Sequence, residues 1–372
     1  MSKQKLLLWI KQEALLVISW VLAVFSMFLI KPDKYYSEYI DWHTIGLLFS
    51  LMAVMAGLER LGFFRILGEN MMLRVRSKRQ LEAVLVLLCF FSSMIITNDV
   101  ALITFVPFSL EVLKMAGLIK EVIPVVVMQT ISANLGSMLT PIGNPQNIYL
   151  YSQSGMKVLN FVLIMLPYAV ISFATITIFI AVRKNIVLKA ELDITRTQCK
   201  NNKLVAMYAV LFVLCLLSIV NVIKASILVL LIIISLLIFD RKTLPTIDYT
   251  LLLTFIGFFI FVGNMGRTQV FYNMVESLLK KNDLLTVLGA SQIISNVPAT
   301  LLLSGFTNNW DTLIVGSNLG GLGTLIASMA SLISYKYVVR ETPQYAKRYL
   351  IYFTVANIIF LIINLIGYII LE

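Results

Sequence analysis

SANLGSMLTPIGNPQN, Ser132 to Asn147, breaks a helix-length apolar segment with three Asn, two Pro, two Gly, a Gln and a Thr. The segment begins at Val122 as an ordinary transmembrane helix would, and then turns polar where a lipid-facing helix could not. Hydrocarbon contains no water, so unwound backbone at that depth is tolerated only where it is packed in protein or lines a wet cavity. The exposed N–H and C=O groups at such a break carry fixed partial charges, which in secondary transporters meet ions and anionic groups. Read alone, Pro141 and Pro145 could mark a kink or an extramembrane loop, but a second run matches the first. GSNLGGLGTLIAS, Gly316 to Ser328, repeats Asn134-Leu135-Gly136 as Asn318-Leu319-Gly320.

Two further landmarks recur in the same order. Ile40-Asp41-Trp42 introduces an apolar segment ending near Gly57, and Ile247-Asp248-Tyr249 introduces another ending near Gly263. Thr97-Asn98-Asp99-Val100-Ala101 and Ser295-Asn296-Val297-Pro298-Ala299 form polar tips inside apolar stretches, each upstream of a broken segment. The ordered set predicts an internal duplication.

Composition sets the class. The 372 residues are 59% hydrophobic and 13% charged, with a mean hydropathy of +0.90, which places the chain with multispanning membrane proteins. The net charge of +11 is therefore read by side of the membrane and not as a nucleic-acid signal. Cys89, Cys199 and Cys215 have no paired spacing, so neither a disulfide framework nor a metal cluster is expected.

Basic residues orient the spans. Lys3, Lys5 and Lys11 precede a first span over about Leu15 to Ile30, with no small-residue cleavage site after it, so a retained span and a cytoplasmic N-terminus are expected. The second span, from about Trp42, leads into a basic loop with Arg60, Arg65, Arg74, Arg76, Lys78 and Arg79, assigned to the cytoplasm. A re-entrant hairpin is expected over about 81–113, with two complete spans joined outside as the alternative, then a broken helix over about 122–149 and a returning span to about 182. Residues 1–182 thus hold the first span and an N-terminal repeat, and 183–203 form a cytoplasmic linker. Residues 204–372 hold two Leu/Ile/Val-rich scaffold spans and a C-terminal repeat, with a hairpin over about 284–303 and a broken helix over about 312–335. Most of the 30 Lys and Arg then fall on one side. The two repeats are inverted relative to one another and the C-terminus is external. The fold class is an all-α polytopic membrane protein with inverted-topology repeats, an arrangement suited to alternating access.

The centre is built from neutral oxygen and amide groups. The candidate substrate- and ion-binding residues are Thr97, Asn98, Asp99, Ser295 and Asn296 at the tips; Asn134, Gly136, Ser137, Thr140, Gly143 and Asn144 at the first break, with Asn147 just beyond; and Asn318, Gly320, Gly323 and Thr324 at the second, with Ser317 and Gly321 beside them. Hydroxyls and amides can donate to an anion and accept from a cation, so Na+ at Thr97, Asn98, Asp99, Ser295 and Asn296, or an oxyanion, fits this set. Asp99 is the one acidic group among them: an ionisable side chain in a membrane segment is a functional candidate by default, with helix capping as the structural alternative. No Arg or Lys is expected near the midplane. His43 and Cys89 are expected to be interfacial and core residues respectively, and Glu59, Arg60 and Arg267 to snorkel at membrane edges.

The tips TND at Thr97 to Asp99 and SNV at Ser295 to Val297, with the SANLGSMLTPIGNPQN and SNLGGLGTLIAS runs, resemble the ion transporter superfamily of divalent-anion:sodium symporters, citrate permeases, arsenite permeases and a sodium–proton antiporter branch. The resemblance covers nearly the whole chain. It implies paired re-entrant hairpins, elevator-type movement of the hairpin-bearing part, a scaffold that mediates homodimers, and binding at Thr97-Asn98, Ser295-Asn296 and the two breaks. Asp99 and Val297 stand where the dicarboxylate branch is similar to Thr at both tips, and one span fewer precedes the first repeat.

The expected function is secondary active transport of a small anion, a carboxylate or inorganic oxyanion, coupled to Na+ or H+ in the bacterial inner membrane. No catalytic residue, resident cofactor or nucleic-acid partner is expected. The alternatives are a Na+/H+ antiporter working through Asp99, an arsenite or antimonite efflux permease and, from another class, a membrane-embedded transferase.

Overall fold

The computed structural model describes residues 13–72, 75–188 and 201–371. Lys3, Lys5, Lys11, Arg74, Lys189, Arg196, Cys199 and Lys200 lie outside these residues, and with them the N-terminal basic segment and most of the expected linker. The described chain is all-α; its single β contact is an isolated bridge between Ser77 and Val187.

Eighteen α-helices are described: α1 (Ala14–Leu29), α2 (Tyr36–Tyr39), α3 (Trp42–Arg60), α4 (Phe63–Met72), α5 (Lys78–Ser92), α6 (Asn98–Met115), α7 (Val122–Ser137), α8 (Pro145–Ser154), α9 (Val158–Val182), α10 (Asn202–Ile219), α11 (Ala225–Phe239), α12 (Tyr249–Gly266), α13 (Gln269–Lys281), α14 (Asp283–Ile294), α15 (Asn296–Ser304), α16 (Trp310–Leu319), α17 (Met329–Glu341) and α18 (Ala346–Leu371). Among the described residues five segments are long and apolar enough to cross a membrane: α3, α9, α10, α12 and Pro343–Leu371, which contains α18. The chain is therefore a multi-pass membrane protein.

The element order from α3 to α9 recurs from α12 to α18, and local chemistry recurs with it. Asp41 caps α3 by accepting the Thr44 N–H at 3.0 Å, and Asp248 caps α12 by accepting that of Leu251 at the same distance. The short helices α4 and α13 fall where the sequence reading had only loop. Each leaves an apolar stripe exposed one turn apart, Phe63, Leu67 and Met71 on α4 and Val270, Met274 and Leu278 on α13, the pattern of a helix lying in a membrane interface. Their many polar residues hid them from a search for spans.

Charged contacts sort the segments into two ends. At one end Arg60 pairs with Asp240, Arg183 with Glu82 (2.7 Å) and Glu121, Lys78 with Glu121, and Lys114 with Glu341 (2.7 Å). At the other, Arg267 pairs with Asp33 at 2.7 Å. Each pair joins segments that the charge pattern assigns to one face. Arg60 and Arg267 are thus held in ion pairs beyond simple snorkelling. The Arg60–Asp240 pair is part of a knot in which the Tyr208 hydroxyl donates to Asp240 (2.7 Å) and lies 2.9 Å from the Thr243 hydroxyl. Tyr208 reaches it across Gly57, where a Cβ would lie 2.0 Å from the tyrosine ring, so α3 and α10 cross at van der Waals contact.

Candidate functional site

Both breaks lie at the centre of the packing, and Asn98, Asn134, Asn144, Asn147, Ser295, Asn296, Ser317 and Asn318 are all buried. The first hairpin turns between α5 and α6, and Asn98 at its tip donates its backbone N–H to Gly143 O at 3.0 Å. The second turns at Ser295, whose φ of +74° lets the chain reverse, and Asn296 donates its N–H to Ala327 O at 2.9 Å. Each tip is thus sewn to the backbone of the break in its own repeat. Thr140 and Thr324, at matching places in the two breaks, reach back to their own hairpins, Thr140 Oγ1 to Met94 O at 2.5 Å and Thr324 Oγ1 to Gln292 O at 3.4 Å.

The unwound backbone is satisfied by two amide side chains. Asn147 Nδ2 donates to Ser137 O (3.3 Å) and Thr140 O (3.1 Å) at the first break. Gln292 Nε2 donates to Gly320 O (3.0 Å) and Leu322 O (2.9 Å) at the second, while its Oε1 accepts the Thr324 N–H at 2.9 Å. Gly323 lies against that amide with φ +111°, and a Cβ there would meet Gln292 Oε1 at 2.3 Å, so the position demands glycine. The sequence reading missed Gln292; a lone amide inside an apolar arm was its only signal. Gly136 and Gly320 serve close approach: a Cβ on Gly136 would stand 2.0 Å from Phe90 O, and one on Gly320 2.5 Å from Ser291 Oγ.

Between repeats the contacts are reciprocal. Asn144, the N-cap of α8, donates from Nδ2 to Asn318 Oδ1 at 3.0 Å. Ser328, the N-cap position of α17, donates from Oγ to Asn134 Oδ1 at 3.2 Å. Asn134 and Asn318 are equivalent members of the repeated Asn-Leu-Gly, as Asn144 and Ser328 are of the two caps. Each run thus bonds, through its cap, to the repeated Asn of the other.

The symmetry is broken in its polar bookkeeping. Asn318 is fully engaged, for its Nδ2 donates to Asn147 Oδ1 (2.7 Å) and Ile314 O (2.9 Å). Asn134 accepts from Asn98 Nδ2 at 3.0 Å and from Ser328, but its own Nδ2 has no partner. Ser331 Oγ, in the place matching Asn147, has none either, and neither do Ser132 Oγ and Asp99 Oδ1. Unpartnered buried polar atoms cost roughly 1–3 kcal/mol each, so Asn134 Nδ2 and Ser331 Oγ, unpaired where Asn318 and Asn147 pair with one another, make this the more open of the two runs. Beside it lies a cavity of about 10 Å³ lined by Asn98, Asp99, Gln146, Asn296, Ser328 and Met329.

Asp99 sits in the first turn of α6, where its backbone N–H bonds to Asn98 Oδ1 at 2.9 Å, and its carboxylate makes no capping bond. The capping alternative is set aside. The carboxylate borders a second cavity of about 120 Å³ that runs past Thr97 to Glu59, Thr246 and Asp248. No Lys or Arg lines either cavity. His43 lies apart, with Nδ1 3.1 Å from Ser152 Oγ. Cys89 is a buried core group touched by Gln129 Nε2 at 3.4 Å. Among the described residues no group of three or more His, Cys, Asp and Glu side chains could hold a metal ion.

The chain is an all-helical, multi-pass membrane protein with hairpins and broken helices sewn together around a polar centre, and its family and relatives are transporters, not enzymes. Over residues 6–308 the chain matches the citrate transporter family, to which it belongs. It is 35% identical over 300 residues to an uncharacterized transporter of Methanocaldococcus jannaschii, covering 80% of this chain and 81% of that protein. It is 31% identical over 315 residues to the inner membrane protein YbiR of Escherichia coli, covering 84% of each. A shorter match, 34% over 138 residues, covers 37% of this chain and 28% of the silicon efflux transporter LSI3 of Oryza sativa subsp. japonica.

Proposed function

We propose that this chain is a secondary active transporter for a small oxyacid, carried with its charge neutralised and coupled to Na+ or H+ through Asp99. The observation that carries the reading is the pair of reciprocal bonds, Asn144 to Asn318 and Ser328 to Asn134, with Asn134 Nδ2 unpartnered where Asn318 Nδ2 is fully engaged. Amides and hydroxyls can bind acid oxygens, whereas without a Lys or Arg a multiply charged anion needs a cation beside it. The family match favours a carboxylate accompanied by such a cation at Thr97, Asn98, Asp99, Ser295 and Asn296. The likeness to a silicon efflux transporter favours a second reading, an uncharged hydroxide such as orthosilicic or arsenous acid. Na+/H+ exchange through Asp99 is the outcome if no acid binds.

The reciprocal contacts support inverted repeats, and repeats so arranged are suited to alternating access by elevator movement of the hairpin-bearing helices against α1, α3, α10, α11 and α12. Those scaffold helices would carry a homodimer interface. The E. coli relative supports a bacterial inner membrane, with the N-terminus cytosolic and the C-terminus external by the distribution of Lys and Arg.

The test is thermal unfolding of the purified protein in Na+ and in K+ buffers against citrate, succinate, sulfate, arsenous acid and orthosilicic acid. A ligand of the folded state at a hundred times its dissociation constant stabilises by about 2.7 kcal/mol. A shift with an acid, lost in Asn134→Ala, supports the proposal. Shifts with Na+ or pH alone, and with no acid, would replace it by cation exchange.

A further inference from the structure

The larger cavity leads from Thr97 and Asp99 to the last turn of α3 and the segment before α12, where Glu59, Thr246 and Asp248 line it. That is the end of the molecule that carries Arg60–Asp240 and Arg183–Glu82, the cytosolic end by the distribution of basic residues. Cytosolic ends of membrane proteins are usually rich in Lys and Arg, yet this passage bears three carboxylates and no cation. The nearest guanidinium by sequence, Arg60, is turned away: it pairs with Asp240 and donates from Nε to Thr243 Oγ1 at 3.1 Å. Among the described residues Glu59 forms no ion pair, and Asp248 is engaged only by its own helix, accepting the Leu251 N–H and the Thr250 hydroxyl. At the inner end Asp99 Oδ1 is buried without a partner. The remaining walls, Leu51, Ala56, Val100, Ile148 and Leu251 among them, are apolar and do not screen these charges.

We infer that Glu59 and Asp248 form an electrostatic selectivity filter at the cytosolic mouth, which turns anions away from Asp99 and admits uncharged or cationic species. Like charges in a cleft with low-dielectric walls focus the field and change the local concentration of ions tenfold to a thousandfold, an effect that falls as salt is added. The inference deepens the proposed function by requiring that an oxyacid cross the mouth uncharged. It is testable without any substrate.

The experiment uses the full chain with its native cysteines replaced and Ala56→Cys introduced on the cavity wall. In inside-out vesicles the rate of modification is measured with a cationic and with an anionic methanethiosulfonate of similar size, each divided by its rate with a free thiol. The cationic reagent should be favoured by about tenfold or more, the preference shrinking at high salt. Glu59→Gln with Asp248→Asn should remove most of it; Asn retains the α12 cap and Gln the shape of Glu59, and an unchanged unfolding midpoint checks the fold. Equal normalised rates before substitution, a preference indifferent to the two substitutions, or no labelling by either reagent from the cytosolic side would overturn the filter. None of these outcomes bears on whether an acid binds near Asn134.

Discussion

Asn318 and Asn134 are equivalent by sequence and unequal by contact, so replacing each with Ala should have opposite signatures. Asn318→Ala removes the donor to Asn147 Oδ1, stranding an oxygen in a residue 0% exposed, and one of the two bonds donated by Asn144 Nδ2, which keeps Ser137 Oγ at 3.2 Å. At roughly 1–3 kcal/mol for the stranded oxygen and about 1 kcal/mol for the lost Asn144 bond, the cost is about 2–4 kcal/mol. Asn134→Ala also removes an acceptor from two donors, Asn98 Nδ2 and Ser328 Oγ, but both residues border the small cavity, and the space the amide vacates enlarges it enough to admit a water. It also removes an amide nitrogen that had no partner. Its cost should stay near 1 kcal/mol. Thermal unfolding of the two purified variants gives the comparison, with ligand-induced stabilisation measured in parallel. Asn318→Ala should lower the midpoint by several degrees more than Asn134→Ala, whereas Asn134→Ala should lose the ligand response. Equal midpoints, or a larger fall for Asn134→Ala, would refute the idea that the unpartnered atoms mark the binding side.

Two further outcomes follow from packing and charge. Gly136→Ala places a methyl 2.0 Å from Phe90 O, a backbone atom that cannot turn aside, and overpacking of about 1–3 kcal/mol or more should reduce folded protein in the membrane. Gly266→Ala, with nothing within 4 Å, should not, and fluorescence-detected size exclusion separates the two. Burial works to raise the Asp240 carboxyl, but hydrogen bonds from Tyr208, Arg60 and Thr243 and the charge of Arg60 outweigh it and hold the group below its ordinary 3.8. Its stabilisation is therefore complete at neutral pH and is lost as the pH falls through the depressed value. Asp240→Asn should lower the midpoint at neutral pH and flatten its fall in acid; parallel curves for the two proteins would contradict this.

Much of the fold was legible because hydrocarbon allows few solutions: a polar, Pro- and Gly-broken run in an apolar segment has to be covered, and two such runs in the same order imply two of whatever covers them. The capping Asp41 and Asp248, the tips at Asn98 and Asn296 and the breaks at Asn134 and Asn318 could be found by eye for that reason. The interfacial helices α4 and α13 could not, since a helix half in lipid and half in water has a composition close to that of a loop. Nor could Gln292 be assigned its task. That it ties down Gly320 O, Leu322 O and the Thr324 N–H depends on α14 lying against the second break. The carboxylate-lined passage was equally hidden, because Glu59, Asp99 and Asp248 come from three separate elements and the sequence carries no sign that Arg60 faces elsewhere.

The same pairs of residues explain how one polar centre comes from two copies. A faithful duplication with reciprocal contacts would give two equal loci, each satisfied or each open. Here the bonds that hold the frame were kept in both copies: tip N–H to break carbonyl, threonine hydroxyl to hairpin carbonyl, and cap side chain to the opposite Asn. The differences fall beside that frame. Asn147 closes the polar shell of Asn318, whereas Ser331, the shorter residue in the matching place, leaves its own Oγ and Asn134 Nδ2 without a partner. Asp99 follows one tip and Val297 the other, so among the described residues lining the small cavity the one carboxyl group comes from the hairpin of the more open run. Replacing Ser331 by Asn would supply the missing partner and should make the two halves alike. By this logic Ser331→Asn stabilises the protein against heat while weakening its response to ligand, and a variant that gained stability with ligand binding intact would show that the open side is not where the solute sits.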